Sequence, residues 1–165
     1  MLVRMASEIC KHVYAVDVSQ PMLDYAQSKA TTQNITFCHD GFLTYNHSGD
    51  SPTLITSSLS LHHLPDFWKG IPLHNLWALL APNVRFFLLD VILDEKNPIQ
   101  AISSFIDKQT KLGGDFLRED AEGHFREEFS TYDWVIDSLL EKSGFKITEK
   151  NKLDSIIATY LCEKS

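Results

Sequence analysis

The sequence predicts an α/β fold in which a mostly parallel sheet is covered by helices and ends in a C-terminal antiparallel hairpin. Three observations support this prediction. Helical and strand patterns alternate along most of the chain, which is typical of parallel sheets. Residues 84–93 form one continuous apolar run, as expected for a strand that is covered on both faces. The last two predicted strands, near 146–150 and 155–162, are separated by a short turn, so they must be antiparallel, since a parallel crossover needs a dozen or more residues.

The first part of the chain contains two helix–strand repeats and a third strand. Ser19 is placed to cap the second helix, and Pro21 lies in its first turn, where a missing N–H does no harm. The predicted elements are a helix at 2–10, a strand at 12–18, a helix at 20–31, a strand at 35–38, a polar loop at 44–52 and a strand at 54–57.

Glycines, prolines and charges delimit the elements of the second part. Gly70 and Pro72 are expected to split a helical region into a short turn and a main helix. Ser130 and Asp133 resemble a capping box, and Gly144 marks a helix end. The predicted elements are a helix ending near Leu80, the strand at 84–93, a helix from Pro98 to Gly113-Gly114, a mobile solvated segment at 113–129, a helix at 131–142 and the two closing strands.

Composition predicts one soluble cytoplasmic domain that covers residues 1–165. The formal net charge of −7, without any run of lysine or arginine, argues against a nucleic-acid partner. The three cysteines are far apart and odd in number, which favours reduced structural thiols over disulfides. The N-terminal stretch is too charged for a signal peptide, and no apolar run is long enough for a bilayer, so we expect no membrane association.

Asp17 ends the strand at 12–18, where its carboxylate can accept hydrogen bonds from both hydroxyls of a ribose. The alternative is a carboxylate that only closes a turn. Nucleotide-binding α/β folds place another strand and a glycine-rich turn before such a strand, yet the first glycine here is Gly41. We therefore expect a sheet that lacks this first strand and turn, with a gap between the strands that carry Asp17 and Ser57.

Five local motifs occur in an order and spacing that resemble one family. They are Val16-Asp17-Val18-Ser19 with Met22-Leu23, Asp40-Gly41-Phe42, Ile55-Thr56-Ser57 with Leu61-His62-His63-Leu64-Pro65-Asp66, Leu80-Ala81-Pro82 with the strand ending Leu89-Asp90, and Leu139-Leu140 with Gly144-Phe145. Together with the topology they resemble the class I S-adenosylmethionine-dependent methyltransferases of the small-molecule type. The resemblance covers nearly the whole chain and implies a Rossmann-like methyltransferase sheet that is N-terminally truncated.

This resemblance implies S-adenosyl-L-methionine as the cofactor. Asp17 would hold the ribose, with the residues just after it on the adenine. Asp40 would contact the adenine amino group, with Gly41 and Phe42 along the ring, and Ser57 would lie near the methionine end. The alternatives are an Asx-type cap for Asp40 and ordinary loop serines after the third strand. The implied cofactor residues are Asp17, Val18, Met22, Asp40, Gly41, Phe42, Ser57 and Ser58.

His62 and His63 are the implied catalytic residues. Methyl transfer is an in-line displacement that needs alignment and a deprotonated acceptor, and an imidazole that titrates near neutrality can assist. Alternatively, one histidine caps the next helix and the other packs. No metal is expected, because adjacent histidines point in different directions and no further ligand cluster lies nearby.

These expectations combine into methyl transfer from S-adenosyl-L-methionine to a small-molecule acceptor. The alternative is a non-catalytic, truncated methyltransferase-like protein that binds the cofactor weakly or acts as a partner subunit. A nicotinamide-dependent oxidoreductase is disfavoured, because the sequence contains no Gly-x-Gly-x-x-Gly motif. A sheet with an unfilled central position would gain from association, so a homo-oligomer or a partner chain is an open expectation.

Overall fold

The computed structural model describes residues 2–164 and divides into two units, one that extends to Ser48 and one that begins at Gly49. Met1 and Ser165, which belong to the predicted domain 1–165, lie outside the described residues. Each unit has its own sheet, and the expectation of one domain stays a prediction.

The first unit is a two-stranded parallel sheet with two helices. Its elements are α1 (Leu2–Ile9), β1 (Val13–Asp17), α2 (Gln20–Ser28) and β2 (Ile35–His39). The register of the two strands places Asp17 opposite His39. Ser19 caps α2 as predicted, because its hydroxyl accepts from the Met22 N–H at 3.4 Å, and Pro21 lies in the first turn. The two predicted helix–strand repeats are therefore confirmed.

The second unit contains a five-stranded sheet and three helices. Its elements are β3 (Leu54–Ser58), a 3-10 helix (Leu61–His63), α3 (Asp66–Leu79), β4 (Arg85–Leu93), α4 (Pro98–Glu127), β5 (Thr131–Tyr132), α5 (Asp133–Lys142), β6 (Phe145–Lys152) and β7 (Ile157–Lys164). The strand order is β3-β4-β7-β6, and β5 also pairs with β4. β3 and β5 run parallel to β4, whereas β7 is antiparallel to both β4 and β6, which confirms the predicted terminal hairpin.

The strands that carry Asp17 and Ser57 belong to separate sheets. Among the described residues, β1 pairs only with β2, and β3 pairs only with β4. The gap expected between the two strands stays a prediction. Within the described residues, each of these two strands therefore has one edge whose backbone N–H and C=O groups make no hydrogen bonds to another strand.

The core of the second unit is built around β4, the strand with the continuous apolar run. Phe86 and Leu88 are fully buried, and the ring of Phe86 packs on Phe145 of β6 at a centroid distance of 5.2 Å. At the other end of the strand, Val91 and Leu93 form a cluster with Ile156 and with apolar side chains of α4. Burial continues without alternation from Asp90 to Leu93, so both faces of β4 are covered there, which explains why its sequence barely alternates.

The predicted split of the third helix is wrong. α3 runs without interruption from Asp66 to Leu79 and contains Pro72. Proline removes the one N–H that would bond to the carbonyl of Trp68. Pro72 and Leu73 are fully buried, and their packing outweighs the loss of a single hydrogen bond, whose net contribution is about 0.5–1.5 kcal/mol.

The segment at 113–129 is largely helical, and seven of its first eight residues are exposed, as expected for a solvated segment, while its mobility stays a prediction. Within α4 the backbone is non-helical at Gly113 and Gly114, so the predicted stop is confirmed as a break between two consecutive helical stretches. Beyond this break Ala121 is buried and Phe125 packs on the cluster around Val91. These two residues are four apart, so they lie on one apolar side of the helix. The many charged residues of the segment hide this apolar side in the sequence.

The predicted capping box at Ser130 and Asp133 is also wrong. α5 begins at Asp133, and its N-cap residue, Tyr132, makes no side-chain capping hydrogen bond. The residues expected to enter the helix, Thr131 and Tyr132, instead pair with Ile92 and Leu93 as the short strand β5.

Gly144 ends α5 as predicted, and its backbone favours glycine. Its φ is +98°, and a Cβ at this position would lie 2.8 Å from the indole ring of Trp77. We expect Gly144→Ala to lower the free energy of unfolding by about 1–2 kcal/mol, measured by urea denaturation. Gly123→Ala is the control, because a Cβ there meets only Arg126 Nη2 at 3.9 Å, and it should stabilise α4 by up to about 1 kcal/mol. Equal effects of the two substitutions would contradict this explanation.

All three cysteines are free thiols. Cys162 is fully buried, and burial raises its pKa to about 12, which keeps this thiol protonated. Burial also raises the pKa of Cys38. Among the helices described, none combines the length and the apolar character that crossing a membrane requires.

Candidate functional site

Asp17 and Asp40 lie at the same end of the first unit's sheet. The carboxyl ends of parallel neighbours lie side by side, and the Asp40 N–H donates to the Asp17 carbonyl at 3.1 Å. Asp17 Oδ1 accepts from the Ser19 N–H at 2.8 Å. Asp40 Oδ1 accepts from the Thr44 hydroxyl and from the Gly41 N–H, and these bonds, chiefly the first, hold the pKa of Asp40 below its usual value. Both side chains are therefore fixed in orientation by local hydrogen bonds.

The apolar residues predicted to bind the cofactor lie around these carboxylates. Val18 and Met22 are exposed, and Phe42 is half-buried. Gly41 approaches Val18 so closely that a Cβ would lie 2.6 Å from Val18 Cγ1. The structure thus brings six of the eight predicted cofactor residues to the carboxyl end of β1 and β2.

The other two predicted cofactor residues end β3 in the second unit. Ser57 is buried, and its hydroxyl oxygen lies 3.2 Å from the hydroxyl oxygen of Ser60. Ser58 is exposed and pairs with Leu89 of β4 in the sheet register. Neither contact distinguishes a cofactor residue from an ordinary loop serine.

His62 lies within a buried polar cluster of the second unit. It is 5% exposed, its Nδ1 contacts Asp90, and its Nε2 lies 3.0 Å from Glu128 Oε2. The buried Asp90 also accepts from the backbone N–H groups of Leu61 and Val91, each at 2.8 Å. Because a buried carboxylate requires such partners, Asp90 fixes the 3-10 helix that carries His62.

Glu128 contacts three imidazoles. Its Oε1 lies 3.6 Å from His63 Nδ1, and its Oε2 lies 2.5 Å from His124 Nδ1 in addition to the contact with His62. His63 is 56% exposed, so it forms the solvent side of the group. Burial lowers the pKa of His124, although the charge of Glu128 opposes this shift. We call these residues the histidine cluster: His62, His63, Asp90, His124 and Glu128.

Backbone contacts hold the segment of Glu128 against the 3-10 helix. The Phe129 N–H donates to the His62 carbonyl at 2.8 Å. The fully buried Lys69 donates to the Phe129 carbonyl at 2.5 Å and to Asp66 Oδ1 at 2.8 Å. The cluster is therefore fixed from the backbone as well as through its side chains.

Three members of this cluster were missed from the sequence. Asp90 carried a signal, because a lone carboxylate in an apolar strand must find buried partners. His124 and Glu128 have the i,i+4 spacing of one helix face, but they lie within the segment at 113–129, which was not predicted to be helical. No further ligand was expected near the histidine pair, whereas the fold brings donor atoms of His62, His63 and Glu128 within 4.8 Å of one another.

Comparison with protein families identifies the ancestry of this chain. The family described as Methyltransferase domain matches residues 1–83, just over half of the 165 residues. This chain belongs to that methyltransferase family. The resemblance inferred from the motifs is thereby confirmed. A comparison of the methyltransferase domain with curated proteins found no match.

Solved structures share the fold of this methyltransferase domain. Magnesium protoporphyrin IX methyltransferase (ChlM) from Synechocystis PCC 6803, with bound SAH, is 16% identical with a TM-score of 0.68, over 99% of this chain and 69% of that one. N-methyltransferase NodS from Bradyrhizobium japonicum WM9, in complex with S-adenosyl-l-homocysteine, is 14% identical with a TM-score of 0.68, over 98% and 70%.

A third solved structure, described as a pericyclic reaction enzyme, is 17% identical with a TM-score of 0.68. The match covers 99% of this chain but 39% of that one, so the methyltransferase domain spans well under half of its length. At such identities the likeness shows the fold alone, and it confirms the predicted Rossmann-like methyltransferase architecture.

Proposed function

We propose that this methyltransferase domain binds S-adenosyl-L-methionine at the end of β1 and β2 and transfers its methyl group to a small-molecule acceptor. The observation that supports this most is the pair of fixed carboxylates, Asp17 and Asp40, joined through the 3.1 Å backbone hydrogen bond. Carboxylates at the carboxyl end of adjacent parallel strands are suited to accept hydrogen bonds from a nucleoside.

In this proposal Asp17 accepts from the ribose hydroxyls and Asp40 from the adenine amino group. The hydrogen bonds to Ser19, Gly41 and Thr44 use Oδ1 of each carboxylate, so Oδ2 is the acceptor assigned to the nucleoside. The adenine would cover the exposed side chains of Val18 and Met22, together with Gly41 and Phe42. Removing this apolar surface from water contributes favourably to binding.

Methyl transfer itself requires an acceptor aligned with the sulfonium. The acceptor's lone pair attacks the methyl carbon as the carbon–sulfur bond breaks, S-adenosylhomocysteine leaves, and the acceptor's proton passes to a base or to water. His62 and His63 remain the predicted catalytic residues, and Ser57 and Ser58 the predicted residues near the methionine end. Of the two histidines, only His63 is well exposed to an incoming acceptor.

The net charge of the chain and the names of two structural relatives support a small molecule as the acceptor. The net charge of −7 disfavours nucleic acid, which would favour a basic face. Two structural relatives are named as a protoporphyrin methyltransferase and an N-methyltransferase. Cytoplasmic location, the absence of membrane association and an oligomer or partner chain stay predictions.

Asp17→Ala tests the cofactor site by calorimetric titration with S-adenosylhomocysteine. We expect one site per chain and binding weakened roughly 10- to 100-fold, because a hydrogen bond to a charged group contributes about 1.5–3 kcal/mol. Asp24→Ala is the control, since Asp24 lies on the exposed side of α2 and its recorded bond is to Gln20. It should bind like the unchanged chain.

The same titration separates the proposal from its alternative. Cofactor binding that depends on Asp17, together with turnover of any member of a small-molecule acceptor panel, supports a methyltransferase. Binding without turnover of the panel supports the alternative, a methyltransferase-like protein that binds the cofactor without catalysis. A folded chain that binds no S-adenosylhomocysteine contradicts the proposal.

A further inference from the structure

The histidine cluster has the geometry of a metal centre. We propose that His62, His63 and Glu128 bind a divalent transition-metal ion, with Zn²⁺ as the best match to this donor set. The proposal concerns the second unit and does not depend on binding of the methyl donor by the first.

The donor atoms are spaced as ligands of one ion. Nitrogen and oxygen ligands bound at about 2.0–2.1 Å in a tetrahedral site lie roughly 3.3 Å apart. Here His62 Nε2 lies 3.0 Å from Glu128 Oε2, and His63 Nδ1 lies 3.6 Å from Glu128 Oε1. One donor from each residue falls within 4.8 Å of the others, so small side-chain movements suffice to surround an ion.

Asp90 orients His62 as a ligand. Its contact with Nδ1 places the ring proton there, which directs the lone pair of Nε2 toward Glu128. A carboxylate on the far nitrogen of a metal-binding imidazole is the usual arrangement around zinc, where it fixes both the tautomer and the ring orientation. Asp90 is itself held by two backbone N–H groups, so this orientation is rigid.

One oxygen of the histidine cluster, Glu128 Oε2, lacks a hydrogen bond that a cation could replace. This oxygen is buried and has no hydrogen-bond partner among the described residues, although His62 Nε2 and His124 Nδ1 lie 3.0 and 2.5 Å away. The other nitrogen of His124 lies 3.2 Å from Ser130 Oγ, a contact that can hold its proton on that side. A cation held by Glu128 and by the lone pairs of His62 and His63 gives this oxygen a partner.

Charge and donor type select the kind of ion. Asp90 and Glu128 bring two negative charges, while Lys69, a buried cation of the same unit, is already paired with Asp66. A divalent ion balances both carboxylates. Two imidazoles and a carboxylate suit zinc and its transition-metal neighbours, whereas Mg²⁺ and Ca²⁺ prefer oxygen donors throughout. The exposure of His63 leaves room for a water or substrate ligand on the ion.

Calorimetric titration with Zn²⁺ tests this proposal on the full chain after treatment with a chelator. We expect one ion per chain, and visible absorption bands on substitution with Co²⁺. His63→Gln and Glu128→Gln should each weaken binding by at least about tenfold, since loss even of outer-sphere partners costs 10- to 100-fold. His74→Gln and Glu127→Gln are the matched controls, because both residues are exposed in the same unit and lie outside the cluster.

Circular dichroism establishes that each variant is folded before its titration is interpreted. A folded chain without a one-to-one zinc site overturns the proposal. Zinc binding that persists unchanged in either His63→Gln or Glu128→Gln also overturns it, because the ion then lies elsewhere. S-adenosylhomocysteine binding by the same samples reports on the first unit, so failure of one proposal is distinguishable from failure of the other.

Discussion

Asp90→Ala is expected to lower the free energy of unfolding by about 3–5 kcal/mol, the cost typical of removing one member of a buried ion pair. Asp90 is buried within β4 and accepts from the N–H groups of Leu61 and Val91 and from His62. Alanine leaves these donors buried without a partner, at about 1–3 kcal/mol each before any relaxation. Against a typical total of about 5–15 kcal/mol, this loss is a large fraction of the stability.

Urea denaturation in the presence of a chelator measures this effect without any contribution from a metal. Asp107→Ala is the control, because Asp107 is exposed on α4, and its effect should stay within about 0.5 kcal/mol. A loss below about 1 kcal/mol in Asp90→Ala would mean that Asp90 does not fix the 3-10 helix.

Phe86→Ala is expected to destabilise the second unit by about 3–5 kcal/mol through the cavity that it leaves. Phe86 is fully buried in β4, which has partner strands on both sides, and its ring packs on Phe145. Because β3 and β7 flank β4, its backbone moves little after the side chain is removed, so the cavity persists.

Chemical denaturation of Phe86→Ala and Phe67→Ala gives a direct comparison. Phe67 is 80% exposed on α3, so the same change of side chain should alter the free energy of unfolding by about 0.5 kcal/mol or less. Similar losses in the two variants would show that β4 is not the centre of this core.

The fold could be predicted because most of its signals are local. The cap at Ser19, the apolar run of β4 and the stop at Gly144 each depend on a few neighbouring residues, and each is present. The failures occurred where tertiary packing outweighed local preference. Pro72 lies inside a helix because its surroundings are buried, and the charged stretch after Gly114 is helical because one side of it packs on the core.

The two groups of candidate residues differed in the same way. Asp17 and Asp40 were predicted because each directly follows a strand pattern, and parallel pairing then places them together. The histidine cluster joins residues that are far apart in sequence: Asp90 lies 28 residues from His62, and Glu128 is contributed by the far end of α4. No local pattern specifies such contacts, so His62 was identified without the partners that determine its chemistry.

The central claim, that the end of β1 and β2 holds the methyl donor, is tested most directly by amide chemical-shift mapping. An isotopically labelled chain would be titrated with S-adenosylhomocysteine while its backbone amide resonances are followed. We expect saturable shifts that are largest at residues 17–19 and 40–42. Saturable binding that leaves these amides unchanged, or no shifts in a folded chain, would contradict the claim.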